Sequence, residues 1–137
     1  LAGRFLDETR KLFKPYGERV TFIGNVDKEK LAVLYAGASA LLFPSYMEGF
    51  GLPPLEAMAC ETPVVASNTA SIPEVTGSAA ILTNPDDAQA MAEALIRIKG
   101  DDAFRESLIS KGIENCKRFS WKKMAEDTLK VYEAIML

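Results

Sequence analysis

Two glutamates, Glu48 and Glu56, stand eight positions apart, and between them run Gly49, Phe50, Gly51, Leu52, Pro53, Pro54 and Leu55. A carboxylate can accept hydrogen bonds from two adjacent hydroxyls, as on a ribose. Glycines let a backbone approach a ligand closely. The first turn of a helix offers unpaired N–H groups and the positive end of its dipole to a phosphate or diphosphate. Pro53 and Pro54 have no N–H, so the candidate donors are the amides of Phe50, Gly51 and Leu52. Glu56 falls in the first turn of the helix that the prolines open, and Glu48 enters the loop first, facing a group beyond the phosphates. The spacing suits an elongated ligand: a diol, a diphosphate, then another polar group. A plainer reading stands beside it. A glutamate in a first helical turn gains about 0.3–1 kcal/mol from the dipole alone, Glu48 reads equally as a solvated loop charge, and the glycines as a tight turn. The Gly-x-Gly spacing lacks the rest of the dinucleotide fingerprint, so residue types alone leave both readings open.

Composition narrows the chemistry. The chain of 137 residues has no histidine, which removes Ser-His-Asp and Cys-His catalysis and His-ligated zinc within it. Acid–base work must then fall to carboxylates, Lys, Tyr, the substrate or groups outside the chain. The net charge is −3 with no basic stripe, so nucleic acid is not an expected partner. Cys60 and Cys116 are far apart with no CxxC, as in a cytosolic protein with reduced thiols. The hydrophobic share of 48% is enough for a core, yet no apolar run approaches the roughly 18 residues of a membrane span. The start, LAGRFLDETRK, has neither an initiator Met nor the apolar segment of a signal peptide, so a fragment or a trimmed chain is expected.

The elements that must position the two acids follow from pattern. Residues 4–14 predict a polar-faced helix with Phe5, Leu12 and Phe13 as its apolar contacts, broken by Pro15 to Glu18. Residues 19–25 predict a strand ending in Gly-Asn, and 27–38 a helix capped by Asp27 with Leu31, Leu34 and Tyr35 on one face. Strands are expected at 40–45, 63–67 and 79–85, a helix at 53–60, and three more helices at 86–99, 101–118 and 120–136, the last capped by Ser120. The runs at 40–45 and 63–67 are continuously apolar, which belongs to a parallel sheet covered on both faces. Ser71 and Glu74 have capping-box spacing. Glu61 ends a helix where a left-handed residue is normally Gly, and a positive φ there costs about 1 kcal/mol. With no repeat or linker, one domain is expected over 1–137, its sheet beginning before residue 1 and "LAG" the tail of a strand.

The segments EGFGLPPLEAMACETPVVAS, RVTFIGNV, SIPEV…AAILTNPDD and RFSWKKMAEDTLKVY, in this order, resemble the retaining glycosyltransferases of family 4. The resemblance covers nearly the whole chain. It implies the GT-B architecture of two facing Rossmann-like domains, with this chain as part of the second, donor-binding one, truncated at its N-terminal side and ending in the helices 101–118 and 120–136. Residue by residue, Glu56 matches the glutamate that holds the ribose hydroxyls. Glu48 matches the one beside the donor sugar and its phosphates, the catalytic assignment. Gly49, Phe50, Gly51 and Leu52 match the donor-binding loop, and Gly24, Asn25 and Val26 the loop lining the base. Two positions depart from the family: Glu61 and Ser71 stand where it usually has Gly.

The implied reaction transfers a sugar from a UDP-, GDP- or ADP-linked donor with retention of anomeric configuration, with no cofactor and no protein-bound metal. The acceptor-binding first domain and the Arg and Lys that neutralise the diphosphate are not in the chain; Arg4 and Arg10 are not that pair. The isolated chain is therefore expected to be inactive. A cytoplasmic protein is expected, peripheral attachment to a membrane remaining open for the full-length one. In the family a C-terminal helix often crosses back to the first domain. Trp121, Met124, Leu129, Tyr132 and Ile135 are read as the apolar face of the last helix, packed within the protein; left uncovered, that face and a truncated sheet edge would favour self-association. The alternatives are a non-catalytic nucleotide-binding or interaction module of the same fold, and a sugar-nucleotide epimerase, which would require a histidine that the chain lacks.

Overall fold

The structure is a computed structural model that describes residues 7–136. It divides into two compact units, one running through Leu34 and the other beginning at Tyr35. The expected helix contact Phe5, Arg4 and the "LAG" strand tail lie outside the described residues.

In the first unit, α1 (Asp7–Phe13) is followed by a 3-10 segment, Lys14–Arg19, in which Gly17 turns the chain at φ 55. Phe13 packs edge-on to Phe22 at 6.0 Å between centroids, and the Arg10 guanidinium lies 4.9 Å from the Phe22 ring centre. Leu12, expected to make an apolar contact, is exposed. The strand expected at 19–25 does not form: a lone bridge at Gly24 is its whole β character. Side-chain type favours extension there, but a strand exists only as part of a ladder, and Gly24 leaves the extended region at φ 74. Next comes α2 (Lys28–Ala36), whose first turn is capped as expected: Lys30 N–H donates to Asp27 Oδ1 at 2.8 Å.

The second unit is built on three parallel strands in the order β1 (Leu41–Phe43), β2 (Val64–Ser67), β3 (Ala80–Thr83). Their register pairs Leu41 with Val64 and Val64 with Ala80. Every residue of β2 is buried, because both faces of the sheet are covered. Val64 and Ala66 pack with α3 (Leu52–Ala59) and α4 (Ile72–Thr76) through Leu55, Met58, Ile72 and Val75. Val65 packs on the other face with Met91, Ala94 and Ile98 of α5 (Ala88–Gly100) and Leu108 of α6 (Asp102–Cys116). The continuous apolar run thus marks a two-sided central strand. β1 is an edge among the described residues, and its Leu42 is exposed.

The helices that close this unit begin at side-chain caps. Asp87 accepts from Ala90 N–H and Asp101 from Phe104 N–H, both at 2.9 Å. Helix α6 approaches α3 so closely that a Cβ on Gly112 would sit 3.1 Å from Met58 Cγ. The last helix, α7 (Trp121–Ile135), is capped by Ser120, which accepts from Lys123 N–H at 3.0 Å. It buries no residue: Trp121, Met124, Leu129, Tyr132 and Ile135 are all exposed. The expectation that this face packs within the protein is not met among the described residues, none of which covers it, and the face is left exposed as the alternative expectation had it.

Candidate functional site

The carboxyl end of β1 delivers the chain to the sheet edge, where ligands bind in open parallel sheets. The residues from Pro44 to Gly51 form the loop into α3. Its first fixed point is Ser45. The Ser45 hydroxyl donates to Glu48 Oε1 at 2.8 Å, and its carbonyl accepts from both the Ser67 hydroxyl and the Thr69 hydroxyl. Tyr46 OH donates to Asp86, which ties the loop to the turn after β3. Glu48 is half-buried, and Ser45 holds one of its oxygens while the other has no protein donor among the described residues.

The loop ends on Gly51, at φ 102 and ψ 52, as the N-cap residue of α3. The backbone angle requires glycine, and a Cβ there would also sit 2.6 Å from Ile72 Cδ1, the end of a side chain that would have to shift. The expected helix start is present, with Pro53 and Pro54 in the first turn. No side chain caps it, and among the described residues the N–H groups of Phe50, Gly51 and Leu52 have no hydrogen-bond acceptor. Gly51 and Leu52, the N-cap and first helical residue, carry the free donors of the helix N-terminus, and the Phe50 amide belongs to the loop just before it. The Phe50 ring stands edge-on to Phe119 at 5.7 Å.

Glu56 is exposed as the fifth residue of α3, just past the first turn in which the sequence had placed it, because the helix already begins at Leu52; Tyr35 OH reaches its Oε2 at 3.4 Å. Burial first, then the Glu56 charge, pushes the Tyr35 phenol up to about 12. The far end of α3 closes with Glu61 at φ 60, where Thr62 N–H donates to the Ala57 carbonyl at 2.9 Å and Glu61 N–H to the Met58 carbonyl at 3.1 Å. This is a left-handed helix stop of the kind glycine normally makes, as the sequence led one to expect.

Glu48, Gly49, Phe50, Gly51, Leu52 and Glu56 are thus joined in one loop and helix start of the second unit. Gly24, Asn25 and Val26 lie in the first unit at a bend centred on Asn25, with Gly24 at φ 74. Sequence reasoning missed Ser45, Ser67, Thr69 and Tyr35, and it misassigned Ser71. Ser71 makes no cap bond to its own helix; its hydroxyl donates instead to the carbonyls of Phe50 at 2.8 Å and Glu48 at 3.0 Å. The capping box fails because Ser71 is itself helical, at φ −78 and ψ −13, whereas a cap residue needs extended angles to aim its oxygen at the helix. The missed signal is the alternation Ser67, Thr69, Ser71 directly after a buried strand, which puts three hydroxyls along the edge where β1 delivers its loop.

A parallel sheet covered on both faces, with an open helix terminus at its carboxyl edge, is a Rossmann-like arrangement, and the known proteins that match it are glycosyltransferases. The model of the family "Glycosyl transferases group 1" matches residues 6–115, and the chain belongs to that family. It is 40% identical over 116 residues to the O-antigen chain mannosyltransferase B of Escherichia coli, covering 85% of this chain and 30% of that protein. It is 39% identical over 118 residues to a D-inositol 3-phosphate glycosyltransferase of Nocardioides, covering 85% of this chain and 26% of that one. Among solved structures, sucrose-phosphate synthase from Thermosynechococcus elongatus superposes with a TM-score of 0.83 at 37% identity, over 94% of this chain and 34% of that one. Anabaena HepE, solved in complex with UDP-glucose, shares the fold with a TM-score of 0.85 at 22% identity, over 98% of this chain and 40% of that one. The chain therefore spans about a third or less of the curated relatives named here.

Proposed function

We propose that the chain is the donor-binding portion of a glycosyltransferase that moves a hexosyl group from a nucleotide-diphosphate sugar to an acceptor with retention of configuration. The observation that carries this reading is the loop from β1 into α3, which presents Glu48, the free amides of Phe50, Gly51 and Leu52, and Glu56 in unbroken succession. Glu56 would accept hydrogen bonds from the two ribose hydroxyls; its contact with Tyr35 uses one of about four lone-pair directions and leaves room for both. The amides and the dipole of α3 would face the diphosphate. Glu48, braced by Ser45, would stand beside the donor sugar as the catalytic carboxylate. For Gly24, Asn25 and Val26, in the first unit, the base-lining role rests on the family resemblance alone.

In the reaction the bond from the anomeric carbon to the diphosphate oxygen breaks. The acceptor oxygen bonds to that carbon on the same face, and its proton passes to the leaving diphosphate. No histidine is needed for that transfer. One helix terminus holds diphosphate charge poorly on its own, and Glu48 nearby adds repulsion. Alignment of the acceptor, which fixes much of the rate, would come from a facing domain, for which the longer relatives, an O-antigen chain mannosyltransferase among them, have the length. The 137-residue chain alone should thus show weak donor binding and no transfer. The test is product analysis by proton NMR on the full-length protein, supplied with UDP-, GDP- and ADP-hexoses and an acceptor mixture. A product with the donor's anomeric configuration, lost in Glu48→Gln, is expected. An inverted product, or full transfer by Glu48→Gln, contradicts the reading.

A further inference from the structure

We infer that Ser71 is a positioning residue that sets which way the amides of the donor loop point. The inference rests on the function proposed above and concerns how its phosphate-facing half is held in place. Ser71 Oγ lies 2.8 Å from the Phe50 carbonyl and 3.0 Å from the Glu48 carbonyl. A hydroxyl has one proton, so the two carbonyls share it, and both must face Ser71. None of the described peptide bonds is cis. In a planar trans peptide the N–H points opposite to the C=O. The N–H of Gly49 belongs to the Glu48 carbonyl's peptide, and the N–H of Gly51 to the Phe50 carbonyl's. Turning both carbonyls toward Ser71 therefore turns both glycine amides to the far side of the loop. Neither has a protein acceptor among the described residues, and Gly51 is buried. A buried backbone donor left unpaired is costly, so the arrangement is poised for an acceptor supplied by a ligand.

The surrounding backbone serves the same end. Ser67 and Thr69 fasten the start of the loop through the Ser45 carbonyl, and Ser71 fastens its tip. Between Thr69 and Ser71, Ala70 takes φ 50, a strained conformation for a residue with a Cβ, in the link that brings the Ser71 hydroxyl to the loop. Glycine at position 71 would free the carbonyls of Glu48 and Phe50 to rotate, so serine adds a latch that glycine cannot supply.

The latch acts on the diphosphate and not on the nucleoside, which makes it separable from Glu56. In the full-length protein, Ser71→Ala should bind the preferred nucleoside diphosphate (from UDP, GDP and ADP) about five- to tenfold more weakly. The corresponding nucleoside, measured as a competitor, should bind unchanged. Ser71→Thr, which keeps the hydroxyl, should restore diphosphate affinity. Wild-type protein carrying 15N-glycine should show the Gly49 and Gly51 amide signals shifting with the diphosphate and not with the nucleoside, a readout independent of any variant's folding. Unchanged diphosphate affinity in Ser71→Ala, equal losses for nucleoside and diphosphate, or unmoved Gly49 and Gly51 signals would each overturn the latch. Should Glu56→Ala bind both ligands as wild type does, the site reading itself is what fails.

Discussion

Tyr35 and Glu56 form the contact at which the site's electrostatics can be read directly. The Tyr35 phenol is held to about 12, by burial first and by the Glu56 carboxylate second, while a free tyrosine ionises near pH 10. Between those values the unfolded chain gives up a proton that the folded chain keeps. Folding stability from this group is thus complete below about pH 10 and falls as pH rises toward about 12. Tyr46 adds a slope of the same sign through Asp86, whose hydrogen bond also raises its phenol. Tyr35→Phe should therefore flatten, without abolishing, the fall in urea midpoint between about pH 9 and about pH 11. An unaltered fall would mean that the Tyr35 phenol is not protected in the folded state.

At the scale of elements, α3 carries the site and its two ends are made differently. Its start needs Gly51, whose φ of 102 strains any other residue and whose Cβ would displace the Ile72 side-chain end. Its end uses Glu61 in a left-handed conformation that normally belongs to glycine. Glu61→Gly should stabilise the fold by about 1 kcal/mol, seen as a higher urea midpoint at unchanged slope; a lower midpoint would show that the glutamate side chain contributes more than its backbone strain costs. Features of this kind were legible in the sequence because they are local. The caps at Asp27 and Ser120, the proline-opened helix start, the strained Glu61 and the continuously apolar β2 each depend on a few neighbouring residues. Residues 19–25 were misread as a strand because forming a ladder depends on a partner distant in sequence. Ser71 was misread for the same reason: whether its hydroxyl caps α4 or holds the Glu48–Phe50 loop is decided by tertiary placement. The first and last residues of the site motif were visible as types and spacing; the hydroxyls that brace it were not.

For the molecule as a whole, the exposed apolar side of α7 and the β1 edge are surfaces without a partner among the described residues. No described helix is long and apolar enough to cross a membrane. The 137-residue chain on its own should therefore show a mass in light scattering that rises with concentration. Trp121→Glu should lower that mass, and a monomeric mass at high concentration would contradict the expectation. At the heart of the proposed function, Glu56 would bind a ribose. Calorimetric titration of the full-length protein with UDP, GDP and ADP, each beside its 2′-deoxy counterpart, tests it most directly, because only a ribose ligand senses that hydroxyl. Wild type should prefer the ribonucleotide. Glu56→Ala should bind it about 10- to 100-fold more weakly, as expected for losing hydrogen bonds to a charged acceptor, and should no longer distinguish it from the deoxy form. Equal binding of every nucleotide by wild type and Glu56→Ala would contradict the claim.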